Sequence, residues 1–189
     1  MVIPIIKKAI QIVQQLISNE RGRSRQHFKI DCNPNNNLFP MHSLNLPAYD
    51  FHTKKIGGKE MIFDPVRQKY VRLTPEEWVR QHFVQYLVQE QGVPQALVAV
   101  EMSFTYQGMQ RRADIVVYDR QGKPLMMVEC KASEVEVRQD VFDQVARYNK
   151  VVQARYLVVT NGLVHYCCVL DHEQHTYRFL DDLPHYEVL

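Results

Sequence analysis

The chain has 189 residues, of which 46% are hydrophobic and 23% are charged, and its formal net charge is +2. This composition excludes a disordered chain, and the near-neutral charge excludes a protein that binds nucleic acid through overall basicity. No apolar run approaches the roughly 20 residues needed to span a bilayer, and the four cysteines lack the spacing of a zinc site, so we expect a cytoplasmic protein with reduced thiols and no membrane contact.

The first 40 residues differ in composition from the rest. Apolar residues between Ile6 and Ile17 recur at helical spacing, and a Gly- and Arg-containing break and an Asn-rich stretch follow. We predict that residues 1–40 form an amphipathic helix and a loop, either as an extension or as a translated leader upstream of the true start. Residues 41–189 are predicted to form one domain.

The next elements are a hairpin and a helix. Two short apolar runs within Lys59–Leu73 surround a Pro-containing turn, which is typical of a β-hairpin. A helix should begin after Thr74, because Thr is a good N-cap, Pro75 suits the first helical position and Glu77 has the spacing of a capping box. Gly92 should end it.

The remaining elements are mostly strands. One strand is predicted from Ala96 to Gln107 and two more within Ala113–Ala132, followed by an amphipathic helix at 137–153. A hairpin around Asn161-Gly162 and a short strand at Tyr177–Leu180 complete the pattern. This order predicts an α/β fold with a single mixed β-sheet flanked by helices.

The tract Ala113–Ala132 is apolar in its middle and charged at both ends. If its turn is centred between positions 121 and 122, Asp114 lies directly across from Glu129, and Tyr118 lies across from Leu125. Opposed carboxylates repel each other unless one is protonated or a cation lies between them. The hairpin therefore predicts a positive charge next to the two acids.

That charge could be a divalent metal ion. Because side chains alternate along a strand, Lys131 should project on the same face as Glu129. Carboxylates hold Mg²⁺ while several waters remain bound, and a nearby ammonium group can orient a water or stabilise a charged transition state. The set suits phosphodiester hydrolysis, and the alternative is a solvated strand end with a simple Glu–Lys pair.

These residues also carry a resemblance to a known family. Asp114, fifteen residues before Glu129-x-Lys131 and on the preceding strand, resembles the signature of the PD-(D/E)XK nuclease superfamily. The segments TPEEWVRQHFVQYLV, RRADIVVYDRQGKPLMMVECKA, FDQVARYN and YLVVTNG, in this order, resemble the N-terminal nuclease domain of type I restriction enzyme R subunits. The resemblance spans roughly 41–184 and implies a restriction-endonuclease-like core.

The chain departs from this family in two respects. Ala113 replaces the proline of the superfamily signature, at a position that varies. In addition, the 189 residues contain no G-x-x-x-x-G-K-[S/T] phosphate loop. The resemblance is therefore to a free-standing nuclease-like domain that lacks the DNA-translocating motor.

The resemblance implies roles for individual residues. Asp114 and Glu129 would be the ligands of Mg²⁺, for which Mn²⁺ can substitute, together with the backbone carbonyl of Cys130. Lys131 would position or polarise the attacking water. Glu77 matches an acidic position that often completes such sites, and the capping-box role stays open beside it.

Further residues would contact DNA or support the site. Gln144 and Tyr148 match the Q-x-x-x-Y element of RecB-like nucleases and share one helix face, although Tyr148 could equally belong to the core. The basic residues that surround the proposed site in sequence are Arg111, Arg112, Arg138, Arg147 and Lys150.

The sequence thus predicts a metal-dependent DNA nuclease, in the first place an endonuclease. Its partners would be DNA and restriction or repair subunits supplied by other chains. The alternative is a catalytically silent DNA-binding or assembly module that retains the nuclease fold.

Overall fold

Turns and caps divide the chain into short, regular elements. The computed structural model describes residues 43–171 and 176–189, so the predicted helix and loop of residues 1–40 lie outside the described residues. Two 3₁₀ turns, at Gln95–Leu97 and Tyr186–Val188, accompany the longer elements. Those elements are β1 (Thr53–Ile56), β2 (Lys59–Asp64), β3 (Lys69–Arg72), α1 (Pro75–Gln89), β4 (Val98–Tyr106), β5 (Met109–Tyr118), β6 (Pro124–Cys130), α2 (Gln139–Val152), β7 (Tyr156–Thr160), β8 (His165–Asp171) and β9 (Thr176–Leu180).

The strands form two sheets. The predicted hairpin of β2 and β3 is confirmed, but it pairs with β1 in a separate three-stranded antiparallel sheet. The prediction of a single sheet is therefore wrong. Alternation of side chains identifies a strand, but it does not say which ladder the strand joins.

The second sheet has six strands in the order β4-β5-β6-β7-β8-β9. Its neighbours are antiparallel except for β6 and β7, which run parallel. Parallel strands need a crossover connection, and α2 supplies it. The predicted mixed sheet, the second helix and the hairpin at Asn161-Gly162 are confirmed.

Each face of the six-stranded sheet is covered by one helix. Residues of α1 pack with alternate residues of β5 and β6 in one core cluster, and residues of α2 pack with the intervening residues in the other. The sheet is therefore flanked by helices, as predicted. The buried contacts on the α1 face include Val79, Phe83, Leu87, Ile115, Val117, Met126 and Val128, and those on the α2 face include Phe142, Val145, Val116, Met127 and Leu157.

Helix α1 begins where its cap predicts. The Thr74 hydroxyl accepts a hydrogen bond from the Glu77 backbone N–H at 3.1 Å, and Pro75 is the first helical residue. The helix ends at Gln89, shortly before Gly92, whose φ is +71°. Its middle buries polar side chains, including Arg80 and Gln81. Within the described ranges, no helix is long and apolar enough to cross a membrane.

The hairpin of β5 and β6 keeps the predicted register over its central pairs. These pairs are Ile115 with Val128, Val116 with Met127 and Val117 with Met126. A bulge after Val117 then pairs Tyr118 with Pro124, so the predicted pairing of Tyr118 with Leu125 is wrong. In the loop that follows, Asp119 Oδ1 accepts hydrogen bonds from the backbone N–H groups of Gln121 and Lys123 at 2.9 and 2.8 Å.

Candidate functional site

The candidate site lies where β5 and β6 meet at their charged ends. The Asp114 Oδ2 atom accepts a hydrogen bond from the Cys130 backbone N–H at 2.7 Å. The Lys131 ammonium donates to Glu129 Oε1 at 2.7 Å. The fold therefore brings Asp114, Glu129 and Lys131 together at one edge of the sheet.

The electrostatics of this edge favour an additional positive charge. Burial and the neighbouring charge of Asp114 raise the pKa of Glu129, against the opposing effect of its hydrogen bond to Lys131. Burial by itself would lower the pKa of Lys131, but the hydrogen bond to Glu129 and the surrounding acids raise it overall. Lys131 therefore keeps its proton, and the two carboxylates still repel each other.

Helix α1 supplies a cation that sequence reasoning missed. Arg80 Nη2 donates to Asp114 Oδ1 at 2.8 Å and to Glu76 Oε1 at 3.2 Å, and its Nη1 donates to Glu77. Burial opposes the charged state of Arg80, but the charges of Asp114 and Glu77 outweigh it and raise the pKa of the guanidinium. The available signal was spacing, because Arg80 follows Glu77 by three residues on the same helix.

Glu77 bridges two arginines in the interior. Its Oε1 accepts from Arg67 Nη2 at 2.6 Å and from Gln81 Nε2 at 2.8 Å, and its Oε2 accepts from Arg80 Nη1. The side chain is 7% exposed. The backbone N–H of Glu77 makes the capping contact with Thr74. Both oxygens of its carboxylate already accept hydrogen bonds within the protein.

Glu76 is the α1 carboxylate that lies beside Asp114. Both accept hydrogen bonds from the same nitrogen of Arg80, so the two carboxylates are near neighbours. Burial and the charge of Asp114 raise the pKa of Glu76, while Arg80 and Lys131 lower it. Its side chain is 45% exposed, so it is open to solvent where Glu77 is not. Sequence reasoning missed Glu76, although it directly precedes Glu77.

The network continues into the three-stranded sheet. Arg67, in the turn between β2 and β3, donates to Asp64 Oδ2 at 2.5 Å and to Glu101 Oε2 at 2.8 Å. Glu101 has a φ of +53° within β4, and the paired positions on either side of it flank Asp114 on β5. The register of β4 and β5 is the same on both sides of Glu101, so its left-handed backbone is a local irregularity without an inserted residue. The Glu101 carboxylate contacts Arg67 and Arg112.

The acids of this cluster outnumber its cations by two. A divalent ion would balance that excess. The acids are Asp64, Glu76, Glu77, Glu101, Asp114 and Glu129, and the cations are Arg67, Arg80, Arg112 and Lys131.

The donor chemistry fits Mg²⁺. In the described part of the chain, no three His, Cys, Asp or Glu side chains are grouped as a ready metal cage. Mg²⁺ does not need one, because it is usually held by one or two carboxylates, waters and substrate phosphates. Asp114, Glu129 and the Cys130 carbonyl are oxygen donors of that kind.

The other predicted residues lie in different surroundings. The Tyr148 ring contacts the rings of Phe104 and Tyr106 edge-on, at centroid distances of 5.4 and 5.7 Å, and it packs against the core cluster on the α2 face. Tyr148 therefore contributes to the core on the α2 face. On the same helix Gln144 is half-buried and Arg147 is exposed.

The remaining basic residues differ in their contacts. Arg112 donates to Glu101 at 3.3 Å while its side chain stays 64% exposed, so it is joined to the acidic cluster. Arg138 pairs with Glu136 at the surface. Arg111 contacts the sulfur of Met109 at 3.3 Å, and Lys150 is exposed.

Comparisons with known proteins agree with these motifs. A family model described as the type I restriction enzyme R protein N terminus (HSDR_N) matches residues 75–184. Among solved structures, a fragment assigned as the HsdR subunit of a type I restriction enzyme from Vibrio vulnificus YJ016 is similar with a TM-score of 0.45 and 21% identity. The match covers 59% of this chain and 24% of that chain, and no curated protein matches. Because the family model covers more than half of the 189 residues, the chain belongs to the family of type I restriction enzyme R protein N-terminal domains.

Proposed function

We propose that this chain is a metal-dependent DNA nuclease, and specifically an endonuclease that hydrolyses phosphodiester bonds. The observation that supports it is the meeting of Asp114, Glu129 and Lys131 at one edge of the sheet, tied by the contacts of Asp114 with Cys130 N–H and of Lys131 with Glu129. Two acids can hold a metal ion that activates a water for attack on a phosphodiester, and a nearby ammonium group can donate a hydrogen bond to the reacting groups. The proposal includes a restriction-endonuclease-like core of the PD-(D/E)XK type.

In this proposal, Asp114, Glu129 and the carbonyl of Cys130 hold Mg²⁺, and Mn²⁺ can substitute. The bound metal would stabilise the charge that develops on the phosphate and lower the pKa of a bound water. Lys131 keeps its proton beside Glu129. It can therefore donate a hydrogen bond that orients the water or stabilises the transition state.

DNA would approach the exposed side of the same edge. Arg112 and Arg147 are exposed and suited to phosphate contact, and Gln144 and Tyr148 would support the site from α2. The chain spans 24% of the length of the Vibrio fragment. Restriction or repair subunits on other chains would be its protein partners. The free thiols of Cys130, Cys167 and Cys168 suit a cytoplasmic protein.

A second candidate is a catalytically silent DNA-binding or assembly module. The contact between Arg80 and Asp114 favours it, because the guanidinium already neutralises one of the two proposed metal ligands. In that case the acidic cluster would serve the fold alone.

The deciding experiment combines cleavage with metal binding. Purified protein is incubated with plasmid, linear and single-stranded DNA in Mg²⁺, Mn²⁺ or chelator, and its melting is followed with and without each metal. We expect metal-dependent cleavage of plasmid and a metal-dependent rise in Tm. Asp114→Asn, which keeps an oxygen for the Cys130 N–H, and Lys131→Ala should abolish cleavage, whereas the surface variant Glu136→Gln should not.

Two results would contradict the proposed nuclease site. Retained cleavage in Asp114→Asn would remove the proposed site from the reaction. DNA binding without cleavage, and without any metal-dependent change in Tm, would support the silent module.

A further inference from the structure

The guanidinium of Arg80 occupies the space between two carboxylates of the candidate site. Its Nη2 donates to both Asp114 Oδ1 and Glu76 Oε1, at 2.8 and 3.2 Å. The Arg80 side chain is 6% exposed, and its Nε has no hydrogen-bond partner. Buried arginines normally satisfy their donors, so the position of this side chain is set by its carboxylate contacts.

A network of charged side chains, Glu77, Arg67 and Asp64, fixes the position of the Arg80 guanidinium. Glu77 accepts from Arg80 on one oxygen and from Arg67 at 2.6 Å on the other. Arg67 is held in turn by Asp64 at 2.5 Å. Moving the Arg80 guanidinium away would leave Glu77 buried and partly unpaired, which is strongly unfavourable in a protein interior.

An arginine in this position constrains how many metal ions can bind. Sites that use two metal ions hold them roughly 4 Å apart with shared carboxylates. A divalent ion shared by Asp114 and Glu76 would have to displace Nη2, and the guanidinium cannot give up its charge by losing a proton. The excess of two acids in the cluster is enough to balance a single divalent ion.

We propose that Arg80 is a fixed cation of this site that excludes a divalent ion from the space between Glu76 and Asp114. A single ion then binds, with Asp114 and Glu129. Arg80 is a positioning residue, because it contacts Asp114, one of the proposed metal ligands. The proposal rests on the metal site of the proposed function.

The test is a calorimetric titration of the full chain with Mn²⁺. Wild type should bind one ion per chain, and Glu76→Gln should keep this stoichiometry with a loss of affinity below about tenfold, because it removes a nearby charge but no ligand of that ion. Arg80→Met should gain a second ion, because the space between Glu76 and Asp114 is then no longer occupied by the guanidinium. Arg80→Lys should keep the wild-type stoichiometry.

Arg80→Met could lose its fold because it unbalances the interior. The charge-balanced double variant Arg80→Met/Glu77→Gln removes one charge of each sign and should show the same gain in binding. The gain should disappear when Glu76→Gln is added, because the freed space then lacks one of its two carboxylates.

The outcomes separate this inference from the proposed function. A wild type that binds no Mn²⁺ overturns both. A wild type that binds two ions, or a single ion in the Arg80→Met variants, overturns the role of Arg80 and leaves the metal site at Asp114 and Glu129 standing.

Discussion

Replacing Glu77 with Gln should destabilise the protein more than the loss of a helix cap does. The Glu77 carboxylate receives hydrogen bonds from Arg67 at 2.6 Å, from Gln81 at 2.8 Å and from Arg80. Breaking a buried ion pair costs roughly 3–5 kcal/mol. Both arginines keep other carboxylates, at 2.5 Å to Asp64 and 2.8 Å to Asp114, so we expect the lower end, about 3 kcal/mol.

Thr74→Ala is the matched control. It removes only the hydroxyl that accepts the Glu77 N–H at 3.1 Å, and the loss of such a cap costs about 1 kcal/mol. The free energy of unfolding is measured in urea through the fluorescence of Trp78, the single tryptophan. Its ring contacts Phe51 and His82 at centroid distances of 5.3 and 4.1 Å, so it reports on the docking of α1.

The two accounts of Glu77 give different results in this assay. If its carboxylate only completes a capping box, the two variants lose similar amounts of stability. If it bridges two buried arginines, Glu77→Gln loses about three times as much as Thr74→Ala. A loss in Glu77→Gln no larger than that of the control would refute the bridging network.

Two more predictions concern stability. Burial lowers the pKa of His82 from 6.5 to about 4, so the unfolded state binds more protons between these pH values and stability falls on acidification. From pH 7 to pH 5, urea unfolding should show that wild type loses about 2 kcal/mol more than His82→Phe. The variant of the exposed His52, His52→Gln, should behave as wild type, and equal losses in all three proteins would contradict the assignment. Gly162 has a φ of +80°, and an added Cβ would lie 2.7 Å from Leu44 Cδ2, whereas Gly122 has a φ of +78° and nothing within 4 Å. Gly122→Ala should therefore lose about 1 kcal/mol of stability through backbone strain alone, and Gly162→Ala should lose measurably more. Similar decreases in Tm would show that the contact with Leu44 costs nothing.

The local architecture follows from the sequence because short-range chemistry decides it. Thr74 and Pro75 set the start of α1, and the loop before Gly122 sets the central register of β5 and β6. That register, with the alternation of side chains, is enough to bring Glu129 and Lys131 together. The bulge at Tyr118 escaped prediction because it depends on hydrogen bonds of the Asp119 side chain within the loop.

The charge network that surrounds these residues was decided by tertiary structure alone. Arg80 meets Asp114 across 34 positions of sequence, as Arg67 meets Glu101. The contact of Arg80 depends on how α1 is rotated about its axis against the six-stranded sheet, and that of Arg67 depends on where the three-stranded sheet docks. Because α1 buries polar as well as apolar side chains, its periodicity does not mark one inward face. The sequence by itself indicated that Asp114, Glu129 and Lys131 lie near one sheet edge, because strand order and side-chain alternation are local properties. Only the docking of α1 and of the small sheet decided that Arg80, Glu76 and Glu101 would lie among them.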